Sequence, residues 1–290
     1  MGQTPPSCSA LKNPGHTRAV GLLLVTALCW SLAGVLFKFV PWPPLAAGGG
    51  RGLIAAVFLL LVRGRSLRFT WSPLQLGTAV AYAGCTVLFA AANKLTTAAN
   101  AVLLQYTAPV WIALFGAWLL GERSTLGDWV TIVVAFAGLG VFLYDGLQLN
   151  NLPGIVVASA SGVCFAAMIM LLRKQKDGSP LESVILGNLL GFLIGLPAMW
   201  SAPPLPAGGV VALLLLGVVQ LGVPYLFYAR AIKEVTALEA VLIPVIEPIL
   251  NPVWVMLAVG EKPSPLALLG GVIVVGSVTW RAVAAIRRAA

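Results

Sequence analysis

The sequence predicts an all-α integral membrane protein, its ten transmembrane helices arranged as two inverted five-helix repeats around a central cavity. Three observations predict it. The 290-residue chain is 59% hydrophobic and 9% charged, where a soluble chain carries about 25% charged residues. When its apolar runs are threaded back and forth, fourteen of its eighteen lysines and arginines fall on one side. A shift of 139 residues then lays the second half of the chain on the first.

Apolar runs of about twenty residues suit a hydrocarbon core roughly 30 Å thick. Ten are found, at 18–39, 44–62, 73–93, 97–120, 125–144, 152–172, 181–200, 208–230, 236–259 and 264–284. This divides the chain into a tail (1–17), a first repeat (18–144), a second repeat (152–284) and a short tail (285–290). The first sixteen residues are polar with no cleavage-type signal, so the first run is expected to stay as an anchor. With the N-terminus inside, Lys12, Arg18, Arg63, Arg65, Arg68, Arg123, Arg173, Lys174, Lys176, Arg230, Lys233, Arg281, Arg287 and Arg288 are internal. Only Lys94 and Lys262 are external, while Lys38 and Arg51 lie within spans. That asymmetry predicts cytoplasmic termini in a plasma membrane, the inner membrane if the source is bacterial.

The 139-residue shift pairs Thr97 with Thr236, Ala98 with Ala237, Pro109 with Pro248, and Gly121-Glu122 with Gly260-Glu261. Upstream it pairs Gly48 with Gly187 and Gly52 with Gly191. Five spans per half is an odd number, so the second half must lie upside down. Inverted repeats with a midplane site are a transporter architecture.

Thr236–Glu261, TALEAVLIPVIEPILNPVWVMLAVGE, is long enough to span yet holds Glu239, Glu247, Asn251 and three prolines. A carboxylate at the bilayer centre costs about 3 kcal/mol, and an uncompensated interior proline costs about as much. Such a segment is expected to face protein or a wet cavity.

The run TTAANAVLLQYTAPVWIALFGAWLLGE, its partner ending EPILNPVWVMLAVGE, and Trp30 and Arg51 resemble the drug/metabolite transporter superfamily, in particular its EamA-type ten-helix exporters. The resemblance covers essentially the whole chain. It implies a cavity lined by spans 1, 3, 4, 6, 8 and 9, with spans 3–4 and 8–9 as gates. Within the superfamily the chain is most similar to amino acid exporters, including aromatic amino acid exporters of the YddG type.

Several residues have both a functional and a structural reading. Glu247 is either a titratable or ammonium-binding carboxylate or a structural acid beside Pro248. Glu239 is a gate residue, solvated near the cytoplasmic end. Glu239, Ile243, Glu247 and Asn251 recur every four residues, which puts Asn251 on the same face. Pro109 and Pro248 are paired mid-helix hinges or static kinks. Span 3 aligns Thr78, Tyr82, Thr86, Phe89 and Asn93 on one face, and span 8 offers Gln220, Pro224, Tyr225 and Tyr228. These stripes, with Trp30, suit a site for an apolar body with a polar end, or they pack helices together. Lys38 catches a carboxylate or snorkels. Arg51 is too deep to snorkel and is expected to pair with a carboxylate or with carbonyls at a helix end. Gly48, Gly52 and Ala56, with Gly187, Gly191 and Gly195, are expected to let helices approach closely.

Enzyme classes find little support. The chain has one histidine, His16, read as part of the tail, and no HExxH, phosphate loop or paired-acid motif. The four cysteines, Cys8, Cys29, Cys85 and Cys164, have neither metal nor redox spacing and read as small apolar fillers. No cofactor, metal or nucleic acid is expected; the partners are a small-molecule substrate, the bilayer and, in a subsidiary reading, protons. The expected function is export of small amphipathic metabolites, amino acids foremost, by alternating access. A multidrug or organic-cation exporter of the same fold, a channel and a membrane-embedded enzyme are the alternatives.

Overall fold

The computed structural model describes residues 14–96, 98–142, 144, 151–259 and 264–289. Its helical segments string into ten rods among these residues. Span 1 is α1 (Pro14–Ser31) with α2 (Ala33–Lys38), span 2 is α3 (Pro44–Arg63), and span 3 is α4 (Pro73–Leu95). Span 4 comprises α5 (Ala98–Gln105) and α6 (Ala108–Leu120), and span 5 is α7 (Leu126–Phe142). Spans 6 and 7 are α8 (Leu152–Lys174) and α9 (Pro180–Trp200). Span 8 runs through α10 (Ala207–Gly217), a π-helical turn (Val218–Gly222) and α11 (Val223–Ala231). Span 9 runs through α12 (Ala237–Leu242), a 3-10 turn (Ile243–Ile246) and α13 (Glu247–Val259); span 10 is α14 (Pro265–Ala289). Seven of these rods are long and apolar enough to cross a membrane, and spans 5 and 10 contribute shorter apolar helices. The chain is a multi-pass membrane protein.

The helix starts follow from local chemistry. Proline opens α3, α4, α9 and α14, at the position where its missing N–H costs nothing. Ser72 caps α4 by accepting the Gln75 N–H at 3.2 Å, and Asn151 caps α8 through Gly154 N–H at 3.3 Å. Gly121, with φ of +73°, ends α6 in the left-handed conformation that favours glycine.

The packing has two-fold character. Span 3 packs on span 6 as span 8 packs on span 1, and span 4 meets span 6 as span 9 meets span 1. Spans 2 and 7 pack on each other, as do spans 5 and 10. Both of these equivalent pairs are antiparallel. A Cβ on Gly49 would meet Gly195, and one on Gly52 would meet the Asn188 carbonyl. Likewise Gly138 faces Ile273 and Val274, while Asp128 reaches Arg281. Equivalent helices lying head to tail are what an inverted duplication requires. The close approach also explains the glycines. Gly52, Gly187 and Gly195 have no room for a side chain against Asn188, Tyr82 and Leu45 respectively. Gly48 differs, since a Cβ there would meet nothing within 4 Å. It borders a shallow notch with Gly49, Thr86 and Gly191.

Burial is uneven along the rods. One large apolar core joins Leu23, Leu59, Ile112, Ile169, Leu172, Val184, Ile232 and Val241. All lie in the halves of their spans nearest the end rich in lysine and arginine, called here the basic end. Toward the opposite end the described residues form only small separate clusters, such as Val40–Ala47–Leu213 and Ala92–Ala101–Ala158.

Candidate functional site: a midplane charge and ring cluster

Spans 4, 8 and 9 are all interrupted near their middles, and the interruptions meet two half-buried charges, Glu247 and Arg51. Glu247 begins α13 directly after the 3-10 turn. A helix N-terminus stabilises a carboxylate through its unpaired N–H dipoles. Its carboxylate accepts the Tyr106 hydroxyl at 2.9 Å, and Tyr106 lies between the two helices of span 4. Arg51, in span 2, donates to the side-chain oxygen of Gln220 at 3.0 Å and stands 5.0 Å from the centre of the Phe37 ring. The carboxylate or helix-end carbonyls expected for Arg51 are replaced by a side-chain amide. The π-helical turn of span 8 presents that amide, and π turns often mark functional positions.

Beside these charges the rings close on one another. Trp30 lies 5.4 Å from both Tyr225 and Tyr228, and Tyr82 meets Tyr225 edge-on at 5.1 Å. Tyr82 donates to Asn188 at 3.2 Å, and Tyr228 donates to the Ala240 carbonyl at 3.3 Å. Gln220 donates to the Trp30 carbonyl at 3.4 Å. Tyr82 and Tyr228 are each 1% exposed. In this conformation the rings expected to cup a ligand instead form a sealed floor.

Other expected positions are placed differently. Thr78 is buried and bonded to Leu74 and Gln175, so the stripe on span 3 turns its basic-end half into protein rather than toward an opening. Phe89 packs on the alanine cluster of spans 3, 4 and 6. Lys38 is exposed at the end of α2. The side chains of Asn93 and Asn251 lie outside the described residues, as do Cys8, Thr97, Glu261 and Lys262. Pro109 and Pro248 stand in the first turn of α6 and α13, so they open half-helices instead of kinking continuous ones. Glu239 departs from the expected face. It completes a capping box with Thr236 and pairs with His16 at 3.1 Å. The 3-10 turn advances about 120° per residue where an α-helix advances 100°, so the spacing of four does not carry from Glu239 to Glu247. His16 is a helix residue, 6% exposed, rather than part of a tail.

Sequence reasoning missed a set of clasps at the basic end. Glu122 takes Arg173 Nε at 2.8 Å and the Ala237 N–H at 2.8 Å. Arg173 also donates to the carbonyls of Ile232 and Lys233. Arg281 binds Asp128 at 2.7 Å. The repeated Gly-Glu was a signal for Glu122; for Tyr106 it was a tyrosine three residues before Pro109 inside an apolar run.

Comparison with known proteins fits this architecture. The chain is 28% identical to the threonine/homoserine exporter RhtA of Escherichia coli K12, over 85% of this chain and 84% of that one. It is 25% identical to the uncharacterized transporter YwfM of Bacillus subtilis, over 86% and 88% of the two chains. It is 28% identical to the pseudopaline exporter CntI of Pseudomonas aeruginosa over 61% of this chain and 63% of that one. A crystal structure of a protein with 23% identity superposes with a TM-score of 0.81 over 94% of this chain and 99% of the other, which shows the shared fold. The EamA-like transporter family matches residues 17–144 and 152–281, so the chain belongs to that family of membrane transporters and is not an enzyme.

Proposed function

We propose that this chain exports small amphipathic metabolites, with amino acids as the substrate class, by alternating access between two repeats (18–144 and 152–284). The observation that carries the reading is the uneven packing along the spans. Among the described residues, one continuous core and the Glu122–Arg173–Ala237 clasp close the basic end, while those of the opposite half form small separate clusters. This is the arrangement of a carrier resting with one gate shut. The basic end, with both termini, faces the cytoplasm of a bacterial inner membrane, following the bias of lysine and arginine. RhtA and CntI, both exporters by name, support the direction of transport.

Glu247 serves as the coupling group. Substrate and proton compete for its carboxylate, so that outward movement of one accompanies inward movement of the other. The test is uptake and counterflow in proteoliposomes against amino acids, cationic drugs and sugar phosphates, with and without an imposed pH gradient. Counterflow of amino acids is the expected result, and a Glu247→Gln protein that still responds normally to the gradient removes the coupling role. A second reading, export of organic cations, is favoured by one feature: Glu247 stands beside the aromatic Tyr106, which itself packs edge-on to Phe165. Cationic drugs moving while amino acids do not would select it.

A further inference from the structure

The two midplane charges rest on neutral partners instead of on each other. Arg51 holds the Gln220 amide and Glu247 holds the Tyr106 hydroxyl. Among the described residues neither forms an ion pair. Span 1 links their surroundings: Gln220 donates to the Trp30 carbonyl at 3.4 Å, and the next residue, Ser31, accepts the indole N–H of Trp254 in span 9 at 2.7 Å. The Gln220 amide that the Arg51 guanidinium holds and Glu247 both stand mid-span: Gln220 is about 20 Å of helix from Ala207, and Glu247 about 18 Å from Val259, at the ends of their spans opposite the basic one. Arg51 and Glu247 keep part of their surface accessible above the sealed ring floor.

Two opposite charges in the middle of a membrane protein relieve their desolvation most directly by touching. Here span 2 of one repeat and span 9 of the other hold them apart. A guest carrying both charges accounts for the separation. Resting on the reading of the chain as an amino acid exporter, the geometry points to a two-pole site for the zwitterion: Arg51 takes the substrate carboxylate and Glu247 takes its α-ammonium. Gln220 is the placeholder. Its amide oxygen occupies one guanidinium N–H, and a carboxylate binding both N–H groups in a fork forms the stronger, charge-assisted contact and displaces it. Tyr106 stays on Glu247 and steadies it. Because the poles belong to different repeats, a zwitterion ties the halves together, whereas a ligand with a single charge leaves one pole on its neutral resting partner.

The test uses the full chain in proteoliposomes and the amino acid that exchanges fastest in a counterflow panel. Its methyl ester lacks the carboxylate charge, and its N-acetyl derivative lacks the ammonium. Each is scored as a competitor of labelled amino acid counterflow. The unlabelled amino acid is expected to compete at least about tenfold better than either derivative. Arg51→Gln is expected to erase the preference over the ester, and Glu247→Gln the preference over the N-acetyl compound. Equal competition by all three in the unmodified protein overturns the two-pole site, and that measurement needs no variant to fold. Variants that keep the original preferences overturn it as well. If no amino acid exchanges at all, the amino acid reading itself falls, and this inference with it.

Discussion

Glu122 and Ala237 join the two repeats directly, the carboxylate of one accepting the first N–H of the half-helix that begins with the other, at 2.8 Å. Glu122 belongs to the Gly-Glu pair that ends span 4, and Ala237 opens span 9, its counterpart in the other repeat. The second carboxylate oxygen holds Arg173, which in turn holds the carbonyls that end span 8. Four spans are therefore tied at one point on the basic end.

Glu122→Gln keeps a neutral hydrogen bond and discards the ion pair. Charged hydrogen bonds contribute about 1.5–3 kcal/mol, so a loss of about 2 kcal/mol is expected for a pair whose side chains are 24% and 13% exposed. The expected readout is faster hydrogen exchange over residues 232–240, with exchange at the opposite end unchanged. Unchanged exchange at Ala237 would show that the clasp does not hold the gate.

Tyr106→Phe removes the hydroxyl from Glu247 and nothing else. Glu247 is half-buried, and a hydrogen bond to a charged group contributes about 1.5–3 kcal/mol. Added to Glu247→Gln, the change should cost much less than it does alone, because the two act as one unit. A double-mutant cycle on thermal unfolding and on counterflow measures this; strict additivity would separate the residues.

Gly270→Ala tests the contact between spans 5 and 10. A Cβ there would run into the Phe142 backbone nitrogen and lie 2.5 Å from the Gly138 carbonyl oxygen. Backbone cannot rotate away, so the helices must separate, at about 1–3 kcal/mol or more. Gly276→Ala, where nothing lies within 4 Å, is the control and should leave unfolding in detergent unchanged. Equal melting of the two variants would contradict the packing.

Pro248→Ala restores an N–H at a first-turn position, where helices do without one. Stability should change little. Transport should slow by about tenfold if the break before α13 is a working hinge, and Pro109→Ala should act alike in span 4. Counterflow and unfolding measured together separate a hinge from a static start.

The apolar runs, the repeat and the sides of the basic residues were legible because each is a property of the linear chain. Hydropathy, a shift and a charge count need no knowledge of neighbours. The glycine stripes were legible in part: Gly52, Gly187 and Gly195 lie at close helix contacts, whereas Gly48 and Gly191 border the notch, and spacing alone does not tell the two apart. Face assignment in span 9 was not legible. It assumed a continuous α-helix, and the 3-10 turn at Ile243–Ile246 moved Glu239 off the face of Glu247 and left it as a cap bonded to His16. His16 read as tail because its partner lies 223 residues away.

By itself, then, the sequence determined a duplicated membrane transporter and the charges it holds at depth, since placing charge in hydrocarbon is costly whatever surrounds it. Only the tertiary structure decided how those charges are met: Arg51 by Gln220, Glu247 by Tyr106, and the rings by one another. The reason is physical. Hydrogen bonds and ring contacts act over a few ångströms, and the atoms that make them come from spans far apart in the chain, so their pairing exists only once the two repeats have packed.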